Sequence, residues 1–165
     1  MKRNLINIAI ISLAGILVGA IAFSLTEAGV TATVTARKIA LTVLDGSITY
    51  GSLDLGTSTS TLAAGKDDMQ TVTNTGSVAE DFNVKGTSTA DWILDSATGT
   101  IEHYVHEFST TTGSTWTALT LNYASAATDI TSNATTSLDL QITVPSDTIH
   151  FGVQNPNVTV QAVMH

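Results

Sequence analysis

The feature that most restricts the fold of this chain is a strict alternation of apolar and polar side chains in short segments. The clearest case is residues 138–144, whose apolar members are Leu138, Leu140, Ile142 and Val144. The side chains between them, Asp139 among them, are polar. Because successive side chains of a β-strand point to opposite faces, this pattern predicts a strand with one buried and one exposed face. Pro145 ends the strand, since proline donates no hydrogen bond to a sheet.

Similar segments recur along the chain at short, regular spacing, and each predicts another strand. They lie at residues 39–45, 48–55, 69–73, 79–86, 91–95, 102–109, 116–121 and 157–164. Thr and Ser make up 44 of the 165 residues, and β-branched Thr favours strands. Helix signals are weak after residue 28, where at most one helical turn is expected, in 122–130. The sequence therefore predicts an all-β domain over residues 29–165, an antiparallel β-sandwich of about 8–9 strands.

The N-terminal segment has the features of an export signal. Lys2 and Arg3 precede Leu5–Leu25, which carries no charge. Such a run predicts a secretory signal peptide, with cleavage after Ala22 or, less favourably, after Ala28. The run is also long enough to cross a bilayer, so residues 1–28 have a second interpretation as a retained membrane or filament helix. Both interpretations place the rest of the chain outside the cell or at its surface.

The composition excludes several classes of function. Acidic residues outnumber basic ones by 14 to 6, giving a net charge of −8, whereas nucleic-acid binding needs clustered Lys and Arg. The chain has no Cys, so disulfide scaffolds, thiolate metal sites and thiol catalysis are excluded. Motifs of Ser hydrolases, zinc proteases and phosphate-binding loops are absent from the sequence as well. A non-enzymatic protein without a cofactor is expected.

The segment from Glu102 to Glu107 holds the densest group of candidate metal ligands. In a strand, His103 and His106 point to opposite faces, so His103 shares a face with Glu107, and His106 with Tyr104 and Phe108. A zinc site needs three or four convergent ligands, and this segment offers one pair. Two ordinary strand histidines and no metal are expected.

Two groups of carboxylates are also candidates for chemistry. Lys66-Asp67-Asp68 lacks the alternating Asp spacing of calcium loops, so a solvated charge cluster is expected there. A hydrolase would need convergent carboxylates, and the candidates are Glu80, Asp81, Asp91 and Asp95. Nothing in the sequence brings these four together. The neighbouring aromatic residues, Phe82, Trp92 and Trp116, are expected to pack in the core or on a sheet face.

Asn133 and Asn157 each begin an Asn-X-Thr sequon. Such sequons arise easily by chance in a Thr-rich chain. They matter only in a host that glycosylates exported proteins.

The segment Val30–Ala36, with the sequence VTATVTA, also alternates like a strand. Residues 30–45 are too many for one strand of the usual ~3–10 residues. Either the chain bends and pairs within its own domain, or residues 29–36 add to a sheet of a neighbouring subunit. In the second case the candidate contact residues are Val30, Ala32, Val34 and Ala36.

Two stretches carry a family resemblance. Thr71–Lys85, in which Asn74 and Gly76 favour a hairpin or bulged loop, resembles the hairpin of secreted prokaryotic immunoglobulin-like sandwiches. Residues 138–145 and 158–162 are similar to the closing strands of such domains. The whole chain resembles short exported proteins of candidate-phyla bacteria that have no assigned role. More distantly, its layout is similar to TasA/camelysin-type fibre subunits and archaeal bundling pilins, in which a Cys-free sandwich polymerises by donating a strand.

Three classes of function remain, in order of preference. The first is a structural subunit of a surface fibre or cell envelope, a homo-oligomer or polymer that contacts the membrane through Leu5–Leu25 if that segment is kept. The second is an extracellular adhesion or ligand-binding module, which an exposed aromatic patch at Trp116 and Tyr123 would favour. The third is a secreted hydrolase.

Overall fold

The computed structural model describes residues 28–165. The predicted signal segment Leu5–Leu25 and its cleavage site after Ala22 lie outside these residues. Residues 28–165 contain ten strands and no helix. In chain order the strands are β1 (Leu41–Leu44), β2 (Ser58–Ser60), β3 (Gln70–Asn74), β4 (Glu80–Gly86), β5 (Ile93–Asp95), β6 (His103–Ser109), β7 (Thr117–Ala118), β8 (Ala124–Ile130), β9 (Thr135–Thr143) and β10 (Val158–Met164).

The strands form two sheets. The larger sheet has the order β1-β3-β9-β6-β5, with β2 paired to β9 and β7 paired to β6. The smaller sheet has the order β10-β4-β8. All pairs are antiparallel except β5 with β6, which are parallel. The described part of the chain is therefore all-β, with two sheets that are mostly antiparallel.

Both sheets contribute to one hydrophobic core. Phe82 and Val84 of β4 pack with Val72, Tyr104 and residues of β9 from the larger sheet, and all four named side chains are at most 1% exposed. Burial of each large apolar side chain stabilises a fold by roughly 1.5–3 kcal/mol. Two sheets that share one core form the layered arrangement of a β-sandwich.

The alternating segment at 138–144 forms most of β9, as predicted, and Leu138, Leu140 and Ile142 are buried. The expectation for Asp139 is wrong, because this side chain is fully buried on the other face of the strand. The chain leaving β2 covers that face, and the Thr61 hydroxyl donates to Asp139 Oδ1 at 3.2 Å. Burial raises the pKa of the Asp139 carboxyl. Alternation thus identifies the face of a side chain but not what covers that face.

Residues 48–55, predicted to form a strand, form none. The backbone has positive φ at Asp45, Gly46 and Gly51, and a strand cannot continue through that conformation. The apolar side chains keep their expected role all the same, since Ile48, Tyr50 and other members pack against the core. We call residues 46–55 the irregular segment.

One other local expectation is wrong. The stretch 122–130, expected to hold a helical turn, contains β8, because pairing with β4 overrides the weak helical preference of its alanines.

Residues 74–77 were expected to form a hairpin or a bulged loop, and the hairpin is wrong, because β3 and β4 belong to different sheets. The connection is a corner between the sheets, built around the buried side chain of Asn74. Its Nδ2 donates to the carbonyls of Val78 at 2.8 Å and Ile130 at 2.7 Å, and its Oδ1 accepts from Gly76 N at 2.7 Å. A Cβ at Gly76 would clash with Glu80 Oε1, so the corner requires glycine for space.

Candidate functional site

The predicted intersubunit segment forms no strand in the described structure. Residues 28–40 are irregular, and Val30 and Val34 are 94% and 93% exposed. Ala32 and Ala36 are exposed as well. Regular pairing begins only with β1 at Leu41. Both alternatives for residues 30–36, pairing within their own domain and addition to a neighbouring subunit, stay predictions.

The two histidines of β6 point to opposite faces, as predicted, and each has its own partner. His103 Nδ1 lies 2.7 Å from Asp95 Oδ2 on the neighbouring strand β5. This hydrogen bond, together with one from Ser96 N, lowers the pKa of Asp95. His106 lies in the interior on the same face as Tyr104. Among residues 28–165, no three side chains of the usual metal-binding types gather closely enough to hold an ion.

The Lys66-Asp67-Asp68 cluster has a structural role that the sequence analysis missed. Lys66 Nζ donates to the carbonyls of Thr49 at 3.2 Å and Tyr50 at 2.9 Å. Asp68 Oδ1 accepts from Gln70 Nε2 at 3.1 Å. The cluster therefore fixes the irregular segment rather than only facing solvent.

The four carboxylates considered for hydrolysis lie in separate environments. Glu80 is fully buried, and its Oε1 accepts from the backbone N of Ala40 at 2.9 Å. Asp81, on the opposite face of β4, accepts from Asp129 N and lies 2.7 Å from His165 Nδ1. Asp91 accepts from Gln154 Nε2, and Asp95 contacts His103 as described.

The aromatic residues and the sequons lie as follows. Phe82 is in the core and Trp92 packs against it, as predicted. Trp116 is half-buried beside Gly113, and Tyr123 is exposed with Lys85 Nζ 4.8 Å from the centre of its ring. Asn133 and Asn157, the two sequon residues, are both exposed.

One concave feature of residues 28–165 was not predicted. It is a crevice of about 1000 Å³ between the sheets, and ligand pockets in proteins typically measure ~300–1,000 Å³. Its apolar wall on the larger sheet is formed by Leu138, Leu140 and Ile142, and β10 contributes Val158 and Val160. The irregular segment and residues 148–157 form its sides. We call this feature the crevice.

A hydrogen bond between Tyr50 and His106 lies in the wall of the crevice. The Tyr50 hydroxyl is 2.9 Å from His106 Nε2, and the two rings meet edge to face. Burial lowers the pKa of His106 to about 4, so the imidazole is neutral at pH 7. Burial and the nearby Asp68 charge raise the pKa of Tyr50.

Polar contacts hold the second side of the crevice, residues 148–157. Glu102 accepts hydrogen bonds from the Thr148 hydroxyl and from Ile149 N, and these bonds outweigh burial and lower its pKa. Gln154 is held at both ends, since its Oε1 accepts from Thr89 and its Nε2 donates to Asp91. Within this loop Ile149, Phe151 and Val153 are 74–89% exposed, an alternation that the sequence analysis did not single out.

Comparison with protein families, curated proteins and solved structures finds no match for this chain. Over residues 28–165 the structure contains no helix that could span a membrane. The geometry is therefore the basis for assigning a function.

Proposed function

We propose that the chain is a non-enzymatic, exported structural protein that assembles into a fibre or another layer of the cell surface. In this proposal the domain is an immunoglobulin-like sandwich, and residues 29–36 add as a strand to a sheet of the next subunit. The single observation that carries it is the exposed, alternating segment 30–36, with Val30 and Val34 more than nine-tenths exposed.

Free sheet edges support the proposal. Among the described strands, β8 and β10 each pair only with β4, so each has an unpaired edge. Both are seven residues long, which matches the seven residues of 30–36. Unpaired edges accept an added strand through main-chain hydrogen bonds, while alternate side chains set the register. A contact that joins one end of a subunit to a different surface of the next produces a fibre when the rotation between subunits does not close into a ring.

The low charge of the chain is compatible with close packing of copies. Charged residues make up 12% of the sequence, against ~25% in typical soluble domains. The net charge of −8 still opposes indiscriminate association. The predicted export signal at Leu5–Leu25 supports an extracellular or cell-surface location for the assembly.

The test is electron microscopy of the protein as exported by its host, with and without residues 29–36. We expect fibres from the intact protein and none after the deletion. A matched pair of substitutions controls for effects on export. Val34→Glu places a charge on the apolar face of the segment, and Thr33→Glu places the same charge on the polar face. Val34→Glu should abolish fibres and Thr33→Glu should retain them, whereas fibres from both Val34→Glu and the deletion would contradict the proposal.

A further inference from the structure

The crevice has properties that a structural subunit does not require. Its walls are apolar on both sheets, yet two polar atoms at its lining residues have no hydrogen-bond partner in the described structure. They are Trp92 Nε1 and His106 Nδ1, and both are shielded from solvent. A buried polar atom without a partner costs about 1–3 kcal/mol, so such atoms are rare unless something else satisfies them.

Polar contacts, together with the apolar packing of the irregular segment, hold the sides of the crevice in place. On one side, Gln70 accepts from Gly46 N at 2.8 Å and donates to the Ser47 carbonyl, while Lys66 binds the carbonyls of the irregular segment. On the other, Glu102 and Asp91 anchor residues 148–157. Because both sides are fixed, the crevice is preorganised for an occupant, which lowers the cost of binding.

We propose that the crevice binds a small, neutral, largely apolar molecule that carries a hydrogen-bond acceptor such as a carbonyl oxygen. The indole Nε1 of Trp92 is only a donor, so its partner must be an acceptor. The apolar walls bind the body of the molecule, and the exposed Phe151 and Val153 lie beside it. This ligand site is independent of the proposed assembly.

The charge of the surroundings selects a neutral ligand. Two side chains with a cationic form, His106 and His150, line the crevice. His106 is neutral at pH 7 because burial lowers its pKa, and His150 Nδ1 lies 3.6 Å from the Asp91 carboxylate. The nearby charge on Asp68 is negative, and it raises the pKa of Tyr50, which lies in the same wall. A carboxylate ligand would therefore lose its hydration and would have to compete with Asp91 for His150.

The donor segment of a second copy fits these groups less well. Its alternating residues Val30, Ala32, Val34 and Ala36 have no polar side-chain atom to meet Trp92 Nε1. A strand added to the edge of β10 would also keep its main chain in the layer of the smaller sheet. His106 lies on the other layer, in β6.

The test uses 6-propionyl-2-dimethylaminonaphthalene, a neutral aromatic ketone that fluoresces strongly in apolar surroundings. We expect saturable one-to-one binding to the whole protein. Val160→Phe fills the crevice and should weaken binding by at least about tenfold. Val163→Phe, which adds the same bulk to the opposite face of β10, should leave the affinity unchanged.

The substitution Trp92→Phe tests whether Trp92 donates a hydrogen bond to the ligand or only supports the wall of the crevice. It keeps an aromatic ring and removes the donor, so the affinity should fall about twofold to tenfold. The emission of the bound ketone should also shift to the blue, because its carbonyl loses the hydrogen bond. The emission shift in Trp92→Phe therefore tests the proposed hydrogen bond even if Val160→Phe does not fold.

Three results would overturn the proposal. The first is the absence of saturable binding to the wild-type protein. The second is unchanged binding and emission in both Val160→Phe and Trp92→Phe. The third is a structure of the assembled protein in which residues 30–36 of a second copy fill the crevice.

Discussion

The Tyr50 hydroxyl lies 2.9 Å from Nε2 of His106, and this contact ties the irregular segment to the inner face of β6. The segment crosses residues 46–55 without forming a strand, so such side-chain bonds and apolar packing hold it in place. We therefore expect its order to depend strongly on a few polar contacts.

Removal of the Tyr50 hydroxyl should destabilise the protein. In Tyr50→Phe the ring stays packed, but His106 Nε2 loses its partner, at a cost of about 1–3 kcal/mol. Urea unfolding followed by circular dichroism measures the loss. Tyr123→Phe is the matched control, because Tyr123 is exposed, and its effect should stay within about 0.5 kcal/mol. Equal effects of the two substitutions would contradict the role of the Tyr50–His106 bond.

The free energy of unfolding should decrease as the pH falls below 6.5, because of His106. Its pKa is about 4 in the folded protein and 6.5 as an ordinary histidine, so the unfolded chain takes up a proton first as the pH falls. The loss begins near pH 6.5, ends near pH 4 and amounts to about 3 kcal/mol.

The control for this pH dependence is His106→Gln, which does not titrate. Asp81, Asp95 and Glu102, with lowered pKa values, and Asp139, with a raised one, contribute to both proteins, so their effects cancel in the difference. The difference in unfolding free energy between wild type and variant should shrink as the pH falls from 6.5 to 4. A constant difference would show that His106 does not titrate as inferred.

Gly76→Ala should destabilise the corner between the sheets. The added Cβ would clash with Glu80 Oε1 and lie 2.5 Å from the Lys38 carbonyl oxygen, so backbone and carboxylate must move. Overpacking of this kind costs about 1–3 kcal/mol. Gly99→Ala is the control, since a Cβ there meets nothing within 4 Å. Thermal unfolding of both variants measures the contrast, and equal midpoints would contradict the close approach at Gly76.

The last residue, His165, should titrate above the ordinary histidine range. Its hydrogen bond with Asp81 raises its pKa, while the Asp129 amide and His165 lower the pKa of Asp81. The pair therefore contributes stability at intermediate pH. The stability that comes from the raised pKa of His165 is lost as the pH rises through the pKa of His165 in the folded protein. The stability that comes from the lowered pKa of Asp81 is lost as the pH falls through the pKa of Asp81 in the folded protein.

Histidine NMR signals followed through a pH titration test this pair. In Asp81→Asn the pKa of His165 should fall towards its ordinary value. Asp91→Asn, which removes a carboxylate elsewhere, should leave it unchanged. A His165 pKa that is the same in wild type and Asp81→Asn would contradict the contact.

Periodicity predicted the parts of the fold that depend on local side-chain alternation. Phe82 in β4 and Leu140 in β9 are buried where the pattern expects them. It failed where the backbone needed a different conformation, as at Gly51, or where another segment covered a polar face, as at Asp139. Such outcomes depend on distant parts of the chain, which a local pattern does not contain.

The crevice could not be predicted for the same reason. Tyr50, Trp92 and His106 are far apart in sequence and carry no motif spacing. They line one crevice because β6 brings His106 inward and Lys66 fixes the irregular segment beside it. The one sequence signal of the crevice was His106, a polar side chain on the predicted core face of its strand.

The corner between the sheets also determines how the domain would bear mechanical force. Lys38 and Ser77 exchange hydrogen bonds, Thr75 N donates to the Ala40 carbonyl, and Ala40 N donates to Glu80. Tension applied to the chain at residue 37 therefore reaches the bonds of this corner before it reaches the pairing of β1 with β3. The corner that joins the sheets is thus the first part of the domain to carry such a load.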